Sequence, residues 1–384
     1  MKILFVLDTL ESGGMQLQVL NLLTGLSESD YKVTVLVYNG TEDSGFYEEK
    51  VLGLDVSFIK LKGGPGFKPD VVLKLNKLLV NENYDVVASF LPPTNLYVTI
   101  ARLLSPLRTR QSRHVCVDMS ILTSNTPIKI WFSSLISHLF CDVLVCNSIT
   151  QVSLYKKIFR GWSKALFISN GVDIDHYLID QKLWSFKENR FLVIARIAPA
   201  KNGPNFIRAL KKVSTKINEP IEVDWVGRVE ESSEAWGEKE TMDELIPEIA
   251  LKGINWSWIG EVGDPRPYYS KASCLVIPSK WEGVPNVLIE AMLSGCLVIS
   301  SNISDLGSIL DYGNRGIVID GTDPDAIATA IDKFMELDEK ERFTMCESAQ
   351  KYAIENYSLQ AMVSLYDRLF KEINKPSTIE KNRA

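Results

Sequence analysis

Short apolar runs rich in β-branched residues alternate with longer segments of helical period along almost the whole chain. Runs that are apolar on both faces and separated by helices are typical of parallel sheets with right-handed crossovers. The predicted strands are Ile3–Leu7, Val33–Tyr38, Val56–Leu61, Val86–Phe90, Val143–Cys146, Leu166–Ser169, Phe191–Ala195, Val223–Val226, Trp256–Ile259, Cys274–Ile277, Leu297–Ser300 and Gly316–Ile319. The alternation therefore predicts an α/β protein with parallel, doubly wound sheets.

A polar stretch from Asp175 to Arg190 interrupts the strand series, which then starts again. A chain of 384 residues is long enough for two domains. We therefore predict an N-terminal domain at 1–175 and a C-terminal domain at 176–357. The remaining segment, 358–384, contains an amphipathic helix at Leu359–Phe370, which we expect to pack back on the N-terminal domain.

The charge balance and the cysteines narrow the classes of function and location. Lys and Arg number 42 against 48 Asp and Glu, and the net charge of −6 disfavours a nucleic-acid binder. The 6 cysteines show no metal or redox spacing, and most lie in apolar runs, as in reduced cytosolic proteins. The N-terminus, Met1–Asp8, is interpreted as a first strand rather than a signal peptide, and no run reaches the roughly 20 apolar residues of a membrane span.

The loops that follow the strands are where we expect the chemistry, because ligands of doubly wound sheets bind beyond the carboxyl ends of the strands. The first loop ends in Gly13-Gly14 before a helix, where the backbone can approach an anion closely. This loop matches neither the dinucleotide-binding G-x-G-x-x-G pattern nor a P-loop. The loop therefore gives no support to a nicotinamide-dependent enzyme or to an enzyme that hydrolyses ATP.

Two cations follow the first predicted strand of the C-terminal domain. Arg196 comes directly after Phe191–Ala195, and Lys201 lies just before the next helix. Together they could clamp a diphosphate, Arg196 through bidentate hydrogen bonds and Lys201 as a point charge. The alternative is a surface salt bridge and a solvated lysine, and these two residues taken alone favour that alternative.

The segment from Pro278 to Ala291 combines a strand end, a Gly/Pro turn and a helix that starts near Pro285. Glu282 precedes this helix and Glu290 lies about one turn inside it, so both can border a ligand at the helix N-terminus. Glu290 sits among apolar residues and needs a hydrogen-bond donor, which a pair of ribose hydroxyls would supply. The alternative partner is the neighbouring backbone.

This segment resembles the E-x7-E signature of retaining glycosyltransferases with the GT-B fold, in the large group called family four. The resemblance covers almost the whole chain, and its motifs include Gly13-Gly14, Asn170–Asp173, Arg196 with Lys201, Trp258–Gly260, Tyr268-Tyr269 and Pro278-Ser279. It implies two tandem Rossmann-like domains that face a central cleft, with the C-terminal helix crossing back. It also implies that a nucleoside-diphosphate sugar is a co-substrate and that no metal or other cofactor is used.

The family pattern implies a donor site mainly on the C-terminal domain. Arg196 and Lys201 would neutralise the diphosphate, and Glu290 would hold the ribose hydroxyls. Glu282 would contact the transferred sugar, and His114 would lie near the reacting centre as the second catalytic residue. The alternative for His114 is a polar loop residue or a satisfied core histidine. The full set implied for the donor is Gly13, Gly14, Arg196, Lys201, Gly260, Glu282, Gly283, Val284, Pro285, Asn286, Val287, Leu288 and Glu290.

The acceptor is expected on the N-terminal domain, with Met15, Asn95 and Arg113 as contacts. Met15-Gln16 stands where the family usually has Ala-Glu. The helix-like segment Ile128–Phe140 is rich in large apolar residues, and it would either dip into an anionic membrane surface or pack on the sheet. Core packing alone explains its apolar positions, so we favour packing on the sheet.

By the same resemblance, we expect a cytoplasmic enzyme, peripheral at the inner face of the cytoplasmic membrane, that transfers a hexose or N-acetylhexosamine with retention of configuration. The expected donor is a UDP-sugar, and the expected acceptor is a hydroxyl of a glycan or lipid-linked glycan in surface polysaccharide or O-antigen assembly. Nucleic acid is not an expected partner. Two alternatives stay open: a nucleotide-sugar epimerase on the same scaffold, and a non-catalytic subunit that binds nucleotide-sugars.

Overall fold

The computed structural model describes the chain except for residues 28, 41–44, 63, 65, 106–111, 120, 121, 123–125, 185–188, 214–219 and 376–384. The chain forms two compact units. Met1–Gly171 and the segment that begins at Leu359 form the N-terminal unit, and Val172–Ser358 forms the C-terminal unit. The predicted boundary after Asp175 lies inside the C-terminal unit, within the short helix Ile174–Tyr177.

A parallel sheet forms the centre of the N-terminal unit. Its strands are β1 (Lys2–Leu7), β2 (Lys32–Gly40), β3 (Ser57–Lys62), β4 (Val86–Phe90), β5 (Arg113–Asp118), β6 (Val143–Cys146) and β7 (Ala165–Phe167). They lie in the order β3-β2-β1-β4-β5-β6-β7, and every pair is parallel. The order reverses between β1 and β4, which makes the carboxyl edge there the expected place for a ligand.

The helices of this unit pack against its sheet. They are α1 (Gly14–Leu26), α2 (Glu48–Leu52), α3 (Pro69–Glu82), α4 (Pro92–Leu104), α5 (Ile128–Phe140) and α6 (Ile149–Phe159), joined by the C-terminal helix (Leu359–Ile373). The C-terminal helix places Met362, Tyr366 and Phe370 in the same core cluster as β1. The Phe370 ring meets the Phe5 ring edge to face, with centroids 6.2 Å apart.

A second parallel sheet forms the centre of the C-terminal unit. Its strands are β8 (Arg190–Ile194), β9 (Ile221–Val226), β10 (Ile254–Gly260), β11 (Cys274–Ile277), β12 (Leu297–Ser301) and β13 (Ile317–Ile319). They lie in the order β10-β9-β8-β11-β12-β13. Here the order reverses between β8 and β11, so the loops after these two strands meet at the switch point.

The helices of the C-terminal unit bury their apolar faces on this sheet. They are α7 (Ile174–Tyr177), α8 (Gly203–Lys212), α9 (Ser233–Ala250), α10 (Arg266–Tyr269), α11 (Asn286–Leu293), α12 (Leu306–Ile309), α13 (Pro324–Glu336) and α14 (Glu339–Asn356). Fully buried aromatic side chains, among them Phe191, Trp225 and Phe334, fill the core. None of the helices in the described part of either unit is long and apolar enough to cross a membrane.

The predicted α/β architecture with parallel sheets is confirmed. All 6 cysteines are buried and free, as the sequence predicts. One strand, β5, is absent from the sequence prediction. Its apolar run is short and is bounded by Arg113-His114 and Asp118, which favours a loop. Pairing with β4 and β6 on its two sides nevertheless makes it a central strand, so tertiary packing overrides the local pattern.

Candidate functional site

Hydrogen bonds join the loops that follow β8, β11 and β13 at the carboxyl edge of the C-terminal sheet. The backbone N–H of Lys280 donates to the carbonyl oxygen of Ala200 at 2.8 Å. The buried Asn202 side chain donates to the carbonyl oxygens of Pro278, at 3.0 Å, and Thr322, at 2.7 Å. These bonds hold three loops together at the edge where doubly wound sheets bind ligands.

Lys201 and Glu282 form an ion pair between two of these loops. Lys201 ends a short 3-10 turn, Pro199–Lys201, and Glu282 lies between β11 and α11. Only 20% of the Lys201 side chain and 17% of the Glu282 side chain are exposed. Such a protected pair keeps both charges in fixed positions, so the alternative of a solvated lysine is wrong.

Arg196 follows β8 and pairs with Glu230 in the loop after β9, with Nη1 3.2 Å from Oε2. The backbone N–H of Glu230 also donates to the carbonyl oxygen of Ile197 at 3.1 Å, which keeps Glu230 beside Arg196. The Arg196 side chain is 48% exposed, so solvent weakens this pair. A diphosphate, which carries more charge than one carboxylate, can compete for the guanidinium.

Gly227 and Gly260 bring the ends of β9 and β10 close to β8. The N–H of Gly227 donates to the carbonyl oxygen of Gly260 at 2.7 Å. A Cβ atom on Gly227 would lie 2.1 Å from the carbonyl oxygen of Ala195, and its φ of 145° favours glycine. Gly260 has a φ of 81° and open space around it. The sequence prediction does not include Gly227. A glycine directly after a buried strand is the signal in the sequence by which it could have been found.

Glu290 lies in the second turn of α11 and is 4% exposed. The Tyr269 hydroxyl donates to Glu290 Oε2 at 2.8 Å. Burial raises the pKa of Glu290 to about 7, while hydrogen bonds from Tyr269 and Tyr177 lower it. Tyrosine hydroxyls therefore supply the donors that this carboxyl group needs, and the neighbouring backbone is not its main partner.

The loop before α11 and the first turn of α11, residues 283–288, offer mainly backbone to a ligand. The side chains of Val284 and Leu288 are buried in the core of the unit. Pro285 caps the helix with extended backbone, and the buried Asn286 starts it. The predicted contacts at Val284 and Leu288 are therefore restricted to main-chain groups, and the N–H of Leu288 already donates to the carbonyl oxygen of Pro285 at 3.2 Å.

The carboxyl edge of the C-terminal unit thus combines two kinds of charge. Arg196 and Lys201 are cations, and the N-terminus of α11 adds the positive end of a helix dipole. Glu282 and Glu290 are carboxyl groups suited to accept hydrogen bonds from hydroxyls. Within the described ranges of the chain, no three His, Cys, Asp or Glu side chains lie close enough to hold a metal ion. The arrangement suits a diphosphate that carries hydroxyl-bearing groups on both sides.

In the N-terminal unit, Gly13 and Gly14 lie at the start of α1, beyond the carboxyl end of β1. Gly13 is the N-cap, and its carbonyl oxygen accepts from the N–H of Leu17 at 3.0 Å. Gly14 is exposed. The side chain of Met15, the next residue, is buried in the core, so the acceptor contact predicted for it is restricted to main-chain groups.

His114 does not have the geometry of a catalytic residue, and that prediction is corrected. It is the second residue of β5, near the amino end of the strand, and none of its surface is exposed. Its Nε2 lies 2.8 Å from Ser89 Oγ, which donates to Asn95 Oδ1 at 2.7 Å. Burial and the charge of Arg102 lower the pKa of His114 well below its usual range, so the imidazole stays neutral. His114 is therefore a core histidine with a hydrogen-bond partner, which is one of the alternatives that the sequence leaves open.

Asn95 and Arg113 are wrong as acceptor contacts as well. Asn95 is buried in the first turn of α4, and its Nδ2 donates to the carbonyl oxygen of Val117 at 3.2 Å. Arg113 begins β5 at the amino edge of the sheet, with Nη1 3.3 Å from Asp142 Oδ1. Ligands of parallel sheets bind at the opposite edge.

Other polar groups lie at the carboxyl edge of the N-terminal sheet, and the sequence prediction omits them. Asp8 follows β1 and accepts from the N–H of Thr9 at 2.7 Å, and burial raises its pKa. Asp118 ends β5, is buried, and accepts from the Tyr155 hydroxyl at 3.2 Å. Leu91 follows β4 with a φ of 73°, a strained conformation of the kind found at functional sites. An acid that ends an apolar run is the sequence signal for Asp8 and Asp118.

Two family models match the chain in succession. The model described as Glycosyltransferase Family 4 matches residues 12–176. The model described as Glycosyl transferases group 1 matches residues 178–356. Together the matches span most of both units.

Several bacterial proteins resemble the chain over most of its length. It is 26% identical over 364 residues to a Campylobacter jejuni GalNAc-α-(1→4)-GalNAc-α-(1→3)-diNAcBac-PP-undecaprenol α-1,4-N-acetyl-D-galactosaminyltransferase, with 91% of this chain and 93% of the relative covered. It is 23% identical over 321 residues to the capsular polysaccharide biosynthesis glycosyltransferase CapH of Staphylococcus aureus, with 81% and 84% covered. It is 24% identical over 274 residues to an Escherichia coli UDP-Gal:α-D-GlcNAc-diphosphoundecaprenol α-1,3-galactosyltransferase, with 68% of each covered.

Solved structures share the fold. HepE from Anabaena, in complex with UDP and glucose, superposes with a TM-score of 0.78 at 17% identity, over 97% of this chain and 99% of that one. A glycosyltransferase from Rickettsia africae gives a TM-score of 0.77 at 20% identity, over 98% and 99%. The two parallel sheets, the order of the motifs and the matches to both family models lead to one conclusion: the chain belongs to the family 4 glycosyltransferases of GT-B fold.

Proposed function

We propose that the protein is a retaining enzyme that moves a hexose or N-acetylhexosamine from a UDP-sugar to a hydroxyl of a glycan or lipid-linked glycan. The proposed setting is the assembly of a surface polysaccharide or an O-antigen. The protected Lys201–Glu282 pair beside the start of α11 carries the proposal. A leaving diphosphate gains negative charge during transfer, and a cation already fixed at that place stabilises it.

The names of the relatives support the finer assignments. The Campylobacter protein and the E. coli protein are both named for undecaprenol-linked acceptors. The E. coli name gives UDP-Gal as the donor and an α-1,3 bond as the product. Because the galactose of UDP-Gal is itself α-linked, that product corresponds to retention. UDP is also the nucleotide in the HepE complex.

When the donor binds, Arg196 exchanges Glu230 for the diphosphate. Lys201 contacts the same phosphates from its place beside Glu282, which is then able to accept hydrogen bonds from hydroxyls of the transferred sugar. Backbone N–H groups at the start of α11 face the phosphates as well. In this arrangement each of the two loops after β8 and β11 supplies one part of the donor site.

Glu290 is proposed to accept hydrogen bonds from the ribose hydroxyls. Only the ionised carboxylate accepts at both oxygens, and the pKa of Glu290 is raised to about 7. Donor affinity is therefore expected to increase as the pH rises through about 7.

The proposed reaction uses no metal and no other cofactor. Two fixed cations and a helix N-terminus supply the positive charge that a divalent ion would otherwise provide. Turnover is expected to be unchanged by EDTA. Loss of turnover on chelation, with recovery on addition of Mg²⁺, would contradict this part of the proposal.

The acceptor is proposed to bind at the carboxyl edge of the N-terminal unit, near Asp8 and the start of α1. Carboxylates beyond a strand end suit the hydroxyls of a glycan. A lipid-linked acceptor would also require the enzyme to work at a membrane, and we propose a cytoplasmic protein with peripheral contact at the inner face.

The test is transfer from a panel of UDP-sugars to undecaprenyl-diphosphate-linked glycans. The proposal predicts UDP release that depends on the acceptor and an α-linked product by NMR. Isomerisation of the donor without any acceptor would favour the epimerase alternative. Donor binding with neither transfer nor hydrolysis across the panel would favour a non-catalytic subunit. Either result would overturn the proposal.

A further inference from the structure

Helix α5 buries its small polar residues and exposes four of its large apolar residues, whereas Ile130 and Trp131 pack against a core cluster. The residues that it buries are Ser133, Ser134, Ser137 and His138. The large residues that it exposes are Ile128, Phe132, Leu139 and Phe140, with Ile128 88% exposed. Core packing therefore explains Ile130 and Trp131, as expected, but it does not explain the exposed apolar residues.

Contacts at its C-terminal end hold α5 in this orientation. The His138 ring lies against the Phe159 ring, with centroids 4.1 Å apart. Lys164 Nζ donates to the carbonyl oxygens of Leu139, at 3.0 Å, and Cys141, at 2.6 Å. The polar side of the helix is thus attached to the unit, and the apolar side is held outward.

The exposed apolar area continues beyond α5 into the neighbouring turn Arg160–Trp162. Trp162 is 86% exposed. This turn adjoins the end of α5, because Lys164 just after it binds the helix carbonyls. We call the side chains of Ile128, Phe132, Leu139, Phe140 and Trp162 the α5 surface. Exposed apolar residues grouped in this way mark an interaction site more often than scattered ones do.

The part of the chain that carries the α5 surface is predominantly basic. Between residues 126 and 170 the basic side chains are Lys129, Lys156, Lys157, Arg160 and Lys164, whereas Asp142 is the single acid. Asp142 is itself paired with Arg102 and Arg113. The whole chain has a net charge of −6, so this region stands out against an acidic background. Aromatic and aliphatic side chains with Lys and Arg beside them are typical of surfaces that bind anionic bilayers.

We propose that the α5 surface inserts into the headgroup region of an anionic lipid bilayer. The large apolar side chains enter the boundary between headgroups and acyl chains, and Lys156, Lys157 and Arg160 contact the anionic headgroups. A second copy of this chain is a poorer occupant, because a symmetric pairing of two such surfaces would bring the same cations together. The inference rests on the proposed function for the membrane contact itself and assigns that contact to named side chains.

The experiment is co-sedimentation of the full chain with vesicles. One set of vesicles is neutral and contains phosphatidylcholine alone. The other set is anionic and contains phosphatidylcholine and phosphatidylglycerol in equal parts. The double variant Phe132→Ser/Phe140→Ser is expected to lower binding to the anionic vesicles about tenfold or more. The double variant Lys156→Glu/Lys157→Glu is expected to remove the preference for anionic over neutral vesicles. The matched control is Leu251→Ser, which changes an exposed leucine of the C-terminal unit and should bind as the wild type does.

Calorimetric titration of each variant with UDP shows whether it is folded and separates this inference from the proposed function. Loss of vesicle binding with UDP binding intact supports the inference. Equal vesicle binding by the wild type and the Phe132/Phe140 variant overturns it, and so does a wild type that binds neither vesicle. Self-association of the wild type that this variant abolishes would assign the surface to a second copy and overturns it as well. If UDP fails to bind while vesicle binding follows the expected pattern, the proposed function fails and the inference stands.

Discussion

The carboxyl edges of the two sheets obtain their polar groups in different ways. In the C-terminal unit, Glu282 and Glu290 come from one strand–loop–helix segment, and Lys201 comes from the loop beside it. In the N-terminal unit, Asp8 follows β1 and Asp118 ends β5, and these two strands are far apart in the sequence. A motif within one segment can be recognised before the fold is known. Groups that follow separate strands can be found only after the strands have been placed in register.

The buried polar groups of the two units also differ in position. Lys201 and Glu282 lie among loops at the ligand edge, where their charges can act on a bound molecule. His114, Ser89 and Asn95 form a chain of hydrogen bonds between the sheet and α4, and all three residues are buried. Substitutions in the C-terminal set should therefore change turnover, and those in the N-terminal set should change stability.

The largest effect is expected for Lys201→Ala. Loss of a cation that stabilises the leaving diphosphate should lower kcat about 10²- to 10³-fold at saturating donor. Steady-state kinetics with the natural acceptor measure this change. Lys271→Ala, at an exposed position of the same unit, is the control and should keep the wild-type rate. Near-normal turnover of the Lys201 variant would show that Lys201 does not act on a diphosphate at the carboxyl edge of the C-terminal sheet.

The second-largest effect is expected from Glu290, on the way the free energy of unfolding depends on pH. The pKa of Glu290 is about 7 in the folded protein and about 4.5 in a model compound, so the folded state holds more protons between these values. The free energy of unfolding should therefore fall as the pH rises from 4.5 to 7, by about 3 kcal/mol in total. Urea unfolding of the wild type and of Glu290→Gln measures this fall in the free energy of unfolding, because the variant has no carboxyl group to titrate at position 290. Parallel pH profiles for the two proteins would show that Glu290 is not buried as described.

A smaller effect is expected for a substitution that tests how closely the backbone packs at the carboxyl edge of the C-terminal sheet. Gly227→Ala should lower the free energy of unfolding by about 2–3 kcal/mol, because its Cβ would meet the carbonyl oxygen of Ala195 in an unfavourable conformation. Gly260→Ala has the space for a methyl group and should cost about 1 kcal/mol. Thermal denaturation compares the two variants, and equal losses would contradict the close approach at Gly227.

The smallest effect is expected for His114→Gln. The variant should lose about 1–2 kcal/mol of stability, because the hydrogen bond to Ser89 is disturbed inside the sheet. Its kcat per folded molecule should stay within about twofold of the wild type, whereas loss of a general acid or base costs about 10²-fold or more.

The same variant tests the sign of a second pH effect. The pKa of His114 is lowered below the usual histidine value of 6.5, so the unfolded state binds the extra proton first as the pH falls. Wild-type stability should therefore decrease below about pH 6.5, opposite in direction to the Glu290 effect, and the variant should lack this decrease. A large loss of kcat at unchanged stability would restore the catalytic role predicted from the sequence.

Much of the fold follows from the sequence because buried parallel strands leave continuous apolar runs. β5 is the exception, since polar residues at both its ends hide a short central strand. That omission explains why Arg113 is predicted as an acceptor contact and His114 as a catalytic residue. Once β5 is placed, both lie toward the amino end of the sheet, away from the ligand edge.

Periodicity also has a limit that α5 illustrates. The pattern correctly predicts a helix with an apolar face at Ile128–Phe140. It contains no information on what that face meets, because core packing and membrane contact require the same spacing. The burial of the serines on the opposite face is visible only in the structure.

We propose that the donor diphosphate binds at the carboxyl edge of the C-terminal unit, between Arg196, Lys201 and the start of α11. A crystal structure of the chain with UDP bound tests it most directly. We expect phosphate oxygens within hydrogen-bond distance of both side chains, with Arg196 released from Glu230. Phosphates bound elsewhere, or Arg196 still paired with Glu230 in the complex, would contradict it.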